Sequence, residues 1–249
     1  MSPSNEAPAA EPRRLGSYTT AKVHVGRVER LEQHVARLRR DAARLDLPLP
    51  PAREVEALLL ATASSAFERS DGIVRIEWSH LPDAPPALQA KPRTFNPLPS
   101  TWRAATSKVT HPGPELRANT KYVDVPAYDL SREEVASGEV EEVLLFDAQG
   151  WLVEGGNSNF VVVTEAGDLV TPAYALGGVE GLGLTILRHG RSELREARLD
   201  QDAVTRAREV MSVNAVRGVV PIVEIDGRPA GAGVPGPVSK RLSAAFAGS

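Results

Sequence analysis

The sequence predicts a two-domain α+β protein, and three observations carry that expectation. Its 249 residues, 42% hydrophobic and 24% charged, suffice for one large domain or two modest ones with real cores. Segments that alternate apolar and polar residues intermingle with segments of helical spacing, and no repeat is visible. Six of the 20 Pro fall between residues 82 and 99, a density that neither a helix nor a central strand tolerates, so the domain linker is placed there. The expected layout is a disordered arm over 1–15, a small α/β domain over 16–95, a linker at 96–99 and a large domain over 100–249.

The elements follow in order. The first 15 residues are mostly Pro, Ala, Ser and charged residues, without an apolar pattern. Ser17–Val25 is rich in β-branched and aromatic residues and ends at Gly26, which predicts a strand. Over Glu29–Leu45 the residues Leu31, His34, Val35, Leu38, Ala42 and Leu45 recur at helical spacing, with Arg on the other face. A Pro-marked turn precedes a second helix, and Gly72–Trp78 alternates as a strand. Beyond the linker we expect a strand through Val109, a short helix near Ser131–Ser137, and strands Glu142–Phe146 and Asn159–Val163 with a turn at Asp147–Gly150. Glu180–His189 and Asp200–Arg208 read as helices, and Val210–Val213 and Val219–Ile225 as strands. The turn Asp226-Gly227 and a helix over Val238–Phe246 complete the chain.

Composition narrows the function. A net charge of −3 offers no footprint for nucleic acid. No apolar run approaches the roughly 20 residues that span a membrane, and the N-terminus has no apolar core of a leader, so a cytoplasmic protein is expected. With no Cys, thiolate chemistry and Cys-bound metals are out, and the five scattered His show no ligand spacing, so no metal is expected. The 29 basic residues are 24 Arg and five Lys: Lys22, Lys91, Lys108, Lys121 and Lys240. Only Lys can lose its proton and attack a carbonyl, so amine chemistry has few candidates.

Glu154-Gly155-Gly156-Asn157-Ser158-Asn159-Phe160 is the most informative stretch: a carboxylate, two glycines and short polar residues entering an apolar strand. Alone it would read as a polar hairpin turn. In company it resembles the signature of the fold-type IV pyridoxal-phosphate enzymes, the class IV aminotransferases and 4-amino-4-deoxychorismate lyases. Asp168–Pro172, Val210–Pro221, Glu224–Gly227 and Gly236–Leu242 match that family's later segments in register. The resemblance implies a small α/β domain and a larger one with a mixed, barrel-like β core.

It also implies a site for pyridoxal 5'-phosphate. Lys121, 33 residues before Glu154, matches the lysine that carries the cofactor. Glu154 would face the pyridine nitrogen and let charge drain into the ring, with Asn159 in the same motif. Leu176 matches the apolar residue that packs on one ring face, and Val179 belongs to Gly178-Val179-Glu180-Gly181, a helix start whose backbone N–H groups would face the phosphate. Arg37, in His34-Val-Ala-Arg37-Leu38, resembles the phosphate-gripping arginine, whose fork suits that anion. Glu180, through its backbone N–H, and Asn214-Ala215 would add phosphate donors. Tyr18-Thr19-Thr20 resembles the lyase more than the transaminases. It makes Tyr18 a substrate contact and Thr19 or Thr20 a proton relay, and Arg117 is a candidate for a substrate carboxylate.

The resemblance leans toward 4-amino-4-deoxychorismate lyase, which releases pyruvate and 4-aminobenzoate, a folate precursor. A class IV aminotransferase acting on branched-chain or D-amino acids is the alternative. A pyridoxal-binding member without catalysis is the third reading. The partner expected is a small-molecule substrate, and a homodimer is expected because the small domain is marginal as a free-standing core and carries apolar clusters such as Leu58-Leu59-Leu60.

Overall fold

The computed structural model describes residues 14–114, 119–138, 140–189 and 193–248. Strand β1 (Leu15–His24) is followed by the short β2 (Arg27–Val28), helices α1 (Leu31–Arg44) and α2 (Ala52–Phe67), and strands β3 (Gly72–His80) and β4 (Ala87–Thr94). The four strands form one antiparallel sheet in the order β2-β1-β3-β4. Period-2 alternation divides its residues: Ala21, Val23, Val74 and Ile76 pack against Leu38 of α1 and Val55, Leu59, Ala63 and Phe67 of α2. The opposite face carries Tyr18, Thr20, Arg75, Glu77 and Arg93. Thr20 pairs with Arg75, and Arg75 with Lys91, while Ile73 pairs with both Lys22 and Arg93.

Strand β4 corrects the expectation for the Pro-rich segment. Half of that segment is strand, and Pro92 is accommodated because β4 lies at the sheet edge, where a missing N–H breaks no ladder.

The second sheet is built from β5 (Trp102–Thr106), β6 (Glu142–Phe146), β7 (Leu152–Gly155), β8 (Asn159–Val163), β9 (Leu169–Pro172), β10 (Arg195–Ala197), β11 (Glu209–Asn214), β12 (Gly218–Ile225) and β13 (Arg228–Pro229). Its order is β10-β9-β8-β11-β12-β5-β6-β7, with β13 on β12, and it is mixed: β5 runs parallel to both β12 and β6, and β10 parallel to β9. The sheet curls into a half-barrel. Phe160, Val162, Val210, Val220 and Ile222 fill one face with Leu199 and Val204, at the ends of α5 (Gln201–Thr205). The other face packs Val161, Met211, Val213 and Val219 against α4 (Leu182–Arg188) and α6 (Pro237–Ala247).

Helix α3 (Pro126–Ser137) starts five residues before the expected Ser131, because Pro126 occupies its first turn, where no N–H is required. The strand expected through Val109 ends at Thr106. A short link joins the sheets: the N–H of Tyr18 donates to Lys121 O (2.9 Å) and the N–H of Val123 to Gly16 O (3.1 Å). Lys121 is thereby fixed beside β1.

Candidate active site

A cavity of about 390 Å³ opens between the two sheets, with Lys121 on its wall. The lysine is held through its backbone: its N–H donates to Asp41 Oδ2 (3.1 Å), a fully buried carboxylate on α1. Lys121 Nζ lies 4.8 Å from the centre of the Tyr18 ring, and the Arg75 guanidinium 3.7 Å from it. Burial alone would raise the Tyr18 hydroxyl; Lys121, Arg75 and Arg132 outweigh it and bring it below the ordinary phenol range.

At one end of the cavity stands Glu154, 3% exposed. Its Oε2 accepts from Val179 N (3.0 Å) and Asn159 Nδ2 (3.4 Å); its Oε1 accepts from the Tyr128 hydroxyl and lies 3.4 Å from His111 Nε2. The loop behind it is fastened by a second buried acid. Glu142 accepts from Gly156 N (3.0 Å), Val143 N (3.0 Å) and Ser158 Oγ (2.6 Å). Burial pushes the Glu142 carboxyl up, against the pull of these donors. Glu142 thus explains why the motif carries Gly and Ser where it does.

At the other end is Arg37, 7% exposed. Its Nε reaches Asp41 Oδ2 (3.4 Å), and its Nη2 is buried with no hydrogen-bond partner. Burial lowers the guanidinium pKa, and Asp41 opposes the shift. A buried donor without an acceptor is uncommon enough to require an explanation. Gly181, Leu182 and Gly183, around the first turn of α4, and the β11–β12 turn at Asn214–Val216 line the same cavity. Gly183 is required there: a Cβ would lie 2.6 Å from the Asn214 carbonyl carbon.

The sequence model of one family, amino-transferase class IV, matches residues 16–225, most of the chain. The chain belongs to that family. Its members are pyridoxal 5'-phosphate enzymes, aminotransferases or lyases. A branched-chain-amino-acid aminotransferase of Pseudomonas aeruginosa is 32% identical over 120 residues, 47% of this chain and 39% of that protein, so the match spans well under half of that relative. A D-alanine aminotransferase of Bacillus licheniformis is 22% identical over 247 residues, 94% of this chain and 87% of that protein. A Legionella pneumophila structure provisionally named a 4-amino-4-deoxychorismate lyase superposes with TM-score 0.79 at 15% identity, covering 96% of this chain and 94% of that one. At such identity the structural likeness concerns the fold.

The residues of this class IV chain fit the family's cofactor. The orphaned Nη2 of Arg37 and the N–H groups at the start of α4, which the helix itself cannot satisfy, provide for a phosphate. Lys121 would provide the amine and Glu154 the anion. Tyr18, Thr20, Arg37, Lys121, Glu154, Asn159, Val179, Asn214 and Ala215 all line the one cavity.

Other candidates are not brought there. Thr19 points to the opposite side of β1, where its Oγ1 lies 2.7 Å from His34 Nδ1, because adjacent strand residues face opposite ways. Glu180 stands outside the cavity, ion-paired to Arg40 (3.1 Å) and Arg44 (2.7 Å). Its N–H, expected to reach a phosphate, instead donates to Asn119 O (2.9 Å). Leu176 is buried but is not in the cavity wall. Asn214 lines the cavity, but its Oδ1 accepts from Val216 N (3.0 Å) and Arg217 N (2.7 Å), so it shapes the turn. Arg117 lies outside the described residues.

Sequence reasoning missed Arg75, Arg93 and Arg132, which share the cavity wall. The cross-strand pairing that gathers the first two on the cavity face has no local signal. His111 was likewise set aside as a metal ligand and not considered as a partner for a carboxylate. No helix among the described residues is long and apolar enough to cross a membrane, and no cluster there could hold a metal ion.

Proposed function

We propose that this class IV protein is a 4-amino-4-deoxychorismate lyase, converting its substrate to 4-aminobenzoate and pyruvate. The observation that carries the reading is the second cationic group of the cavity. Apart from Arg37, the wall near Tyr18 holds three guanidinium groups. Arg75 is paired with Glu77 (2.7 Å), Arg132 with Asp129, and Arg93 has no hydrogen-bonding or ionic partner among the described residues. A substrate with two carboxylates suits such a wall, since each arginine keeps N–H groups free for a further anion. Tyr18 and Thr20 add an aromatic face and a hydroxyl.

The bound cofactor supplies an aldehyde that attaches to the amine of Lys121 or of the substrate, and a ring that accepts electron pairs. The chain's residues do the rest. Arg37 and the start of α4 hold the phosphate; Glu154, with Asn159 beside it, faces the ring nitrogen; Val179 packs nearby. As a free amine, Lys121 Nζ would take the ring proton whose loss makes the product aromatic. Thr20, not Thr19, is the hydroxyl available to relay a proton to the departing enol of pyruvate. A homodimer that covers the exposed apolar residues belongs to the same proposal and is checked by solution mass.

The second reading is an aminotransferase for branched-chain or D-amino acids, favoured by the names of the sequence relatives. The test is one protein in two assays. Incubation with 4-amino-4-deoxychorismate should release 4-aminobenzoate and pyruvate in equal amounts without an amino acceptor. Turnover only with a panel of amino donors and keto acids would replace the lyase by the transaminase. Cofactor binding without turnover in either assay would leave a non-catalytic member.

A further inference from the structure

We propose that His111 is a positioning residue for Glu154, acting through a hydrogen-bond chain whose direction is set by the backbone of Gly113. The inference rests on the reading that Glu154 faces the cofactor's ring nitrogen. The N–H of Gly113 donates to His111 Nδ1 at 3.1 Å. A ring nitrogen that accepts carries no hydrogen, so the imidazole proton is on Nε2. That nitrogen lies 3.2 Å from the Tyr128 hydroxyl oxygen and 3.4 Å from Glu154 Oε1. With Nε2–H donating to it, the Tyr128 oxygen has its own single proton for Glu154 Oε1, to which its hydroxyl donates. The reverse order would need a bare Nε2, which the Gly113 N–H forbids.

The start of the chain is rigid. His111 is 3% exposed and its own N–H donates to Phe146 O at 2.8 Å. Gly113 has φ +80°, a conformation that favours glycine, and Gly177 packs so closely that a Cβ there would lie 2.6 Å from the Gly113 carbonyl oxygen. Val179 N–H and Asn159 hold the other carboxylate oxygen. With both oxygens held, the carboxylate keeps one orientation. Loss of the imidazole would free the Tyr128 proton to turn away and loosen that aim. Polarised chains of this kind couple their members, so distant positions matter.

The experiment reads the ring nitrogen directly. Holoenzyme is reconstituted with pyridoxal phosphate labelled with ¹⁵N in the ring, and the ¹⁵N chemical shift is compared among wild type, H111L, H111Q, Y128F and E154Q. Cofactor content is measured for each. H111L and Y128F should move the signal in the direction that E154Q moves it, with kcat lower by about tenfold, the size of one hydrogen bond to a charged group, and KM little changed. H111Q, whose amide N–H reaches the place of Nε2, should return the signal toward wild type. A wild-type signal and kcat in H111L would overturn the proposal; if H111L fails to fold, a wild-type signal in Y128F overturns it equally. An unmoved signal in E154Q would instead remove the role of Glu154 on which the proposal rests.

Discussion

The two ends of the cavity are finished differently. At the Glu154 end each carboxylate oxygen has protein partners, and the loop behind it is fastened by Glu142. At the Arg37 end a buried guanidinium keeps one nitrogen without a partner among the described residues, and Arg93, exposed on the cavity wall, has no hydrogen-bonding or ionic partner among them either. The first end is complete in protein alone, whereas the second is completed only by an anion. The difference separates residues that maintain the fold from residues that wait for ligand, and substitutions should respond accordingly.

The largest effect belongs to the group between the ends. Lys121 is tied into the fold by its backbone, not its amine, so K121A should fold normally. Without the amine, turnover should fall by at least about 10³-fold, as expected for a residue that supplies covalent chemistry. Purified wild type should be yellow and, after borohydride, carry the cofactor on the peptide containing Lys121. Label on another lysine would remove the assignment.

The comparison itself is broken or kept by substituting both ends in cofactor-free protein. E154L takes away the acceptor of the Val179 N–H and of the Tyr128 hydroxyl, while Asn159 Nδ2 keeps Val179 O (2.8 Å) and His111 keeps Tyr128, and should cost roughly 3 kcal/mol. R37M removes a buried charge with an unsatisfied nitrogen, while Asp41 keeps Arg40 (2.9 Å) and the Lys121 N–H as partners. Its stability should stay within about 1 kcal/mol of wild type. Urea unfolding of the two proteins gives the answer, and equal losses would erase the distinction. In the presence of pyridoxal phosphate R37M should bind the cofactor at least about tenfold more weakly.

How much of this was legible in the sequence follows the same division. Residues fixed by local pattern were readable: the helical face that buries His34, Leu38 and Ala42, and the apolar strand Asn159–Val163; helical spacing set the arginines on the other face, and only the resemblance turned Arg37 inward. Lys121 and Glu154 were readable only together, through the family resemblance that their separation carries. Thr19 and Thr20 were not separable, because the registry of β1 decides which of two neighbours faces the cavity. Glu180 misled for a different reason: only its backbone N–H was expected at the phosphate, and nothing near it in sequence shows that Asn119 O takes that N–H while Arg40 and Arg44 hold the carboxylate outside. Arg75 and Arg93 share a face only through the registry of β3 and β4, which pairs Arg75 with Lys91 and Ile73 with Arg93, and no window along the chain contains both with a reason to join them.

Arg93 sharpens the ligand-waiting end. It is exposed on the cavity wall, and what burial it has, followed by repulsion from Arg75, lowers its pKa. With no partner to lose, R93A should leave stability within about 0.5 kcal/mol of wild type. A dicarboxylate substrate should show a KM raised by about tenfold or more, the loss of one charged hydrogen bond, and a monocarboxylate much less. Equal effects on both substrates would take Arg93 out of substrate recognition.

The smallest effect tests the protein-complete side beneath Arg37. His34 is 1% exposed, and burial first, then Arg37 and Arg30, pushes its pKa down to about 3. An unfolded histidine titrates near 6.5, so between about pH 6.5 and 3 the unfolded chain binds a proton that the folded chain refuses. The stabilisation from neutral His34 is therefore fully present above pH 6.5 and is lost as pH falls toward 3, at no more than about 1.4 kcal/mol per pH unit. H34Q keeps a polar group beside the Thr19 hydroxyl but has nothing to protonate. Its unfolding free energy between pH 7 and 5 should decline less steeply than that of wild type, since the carboxylates contribute the same slope to both. Parallel curves would mean that His34 takes up its proton in the folded protein, and that the space under Arg37 tolerates a second charge.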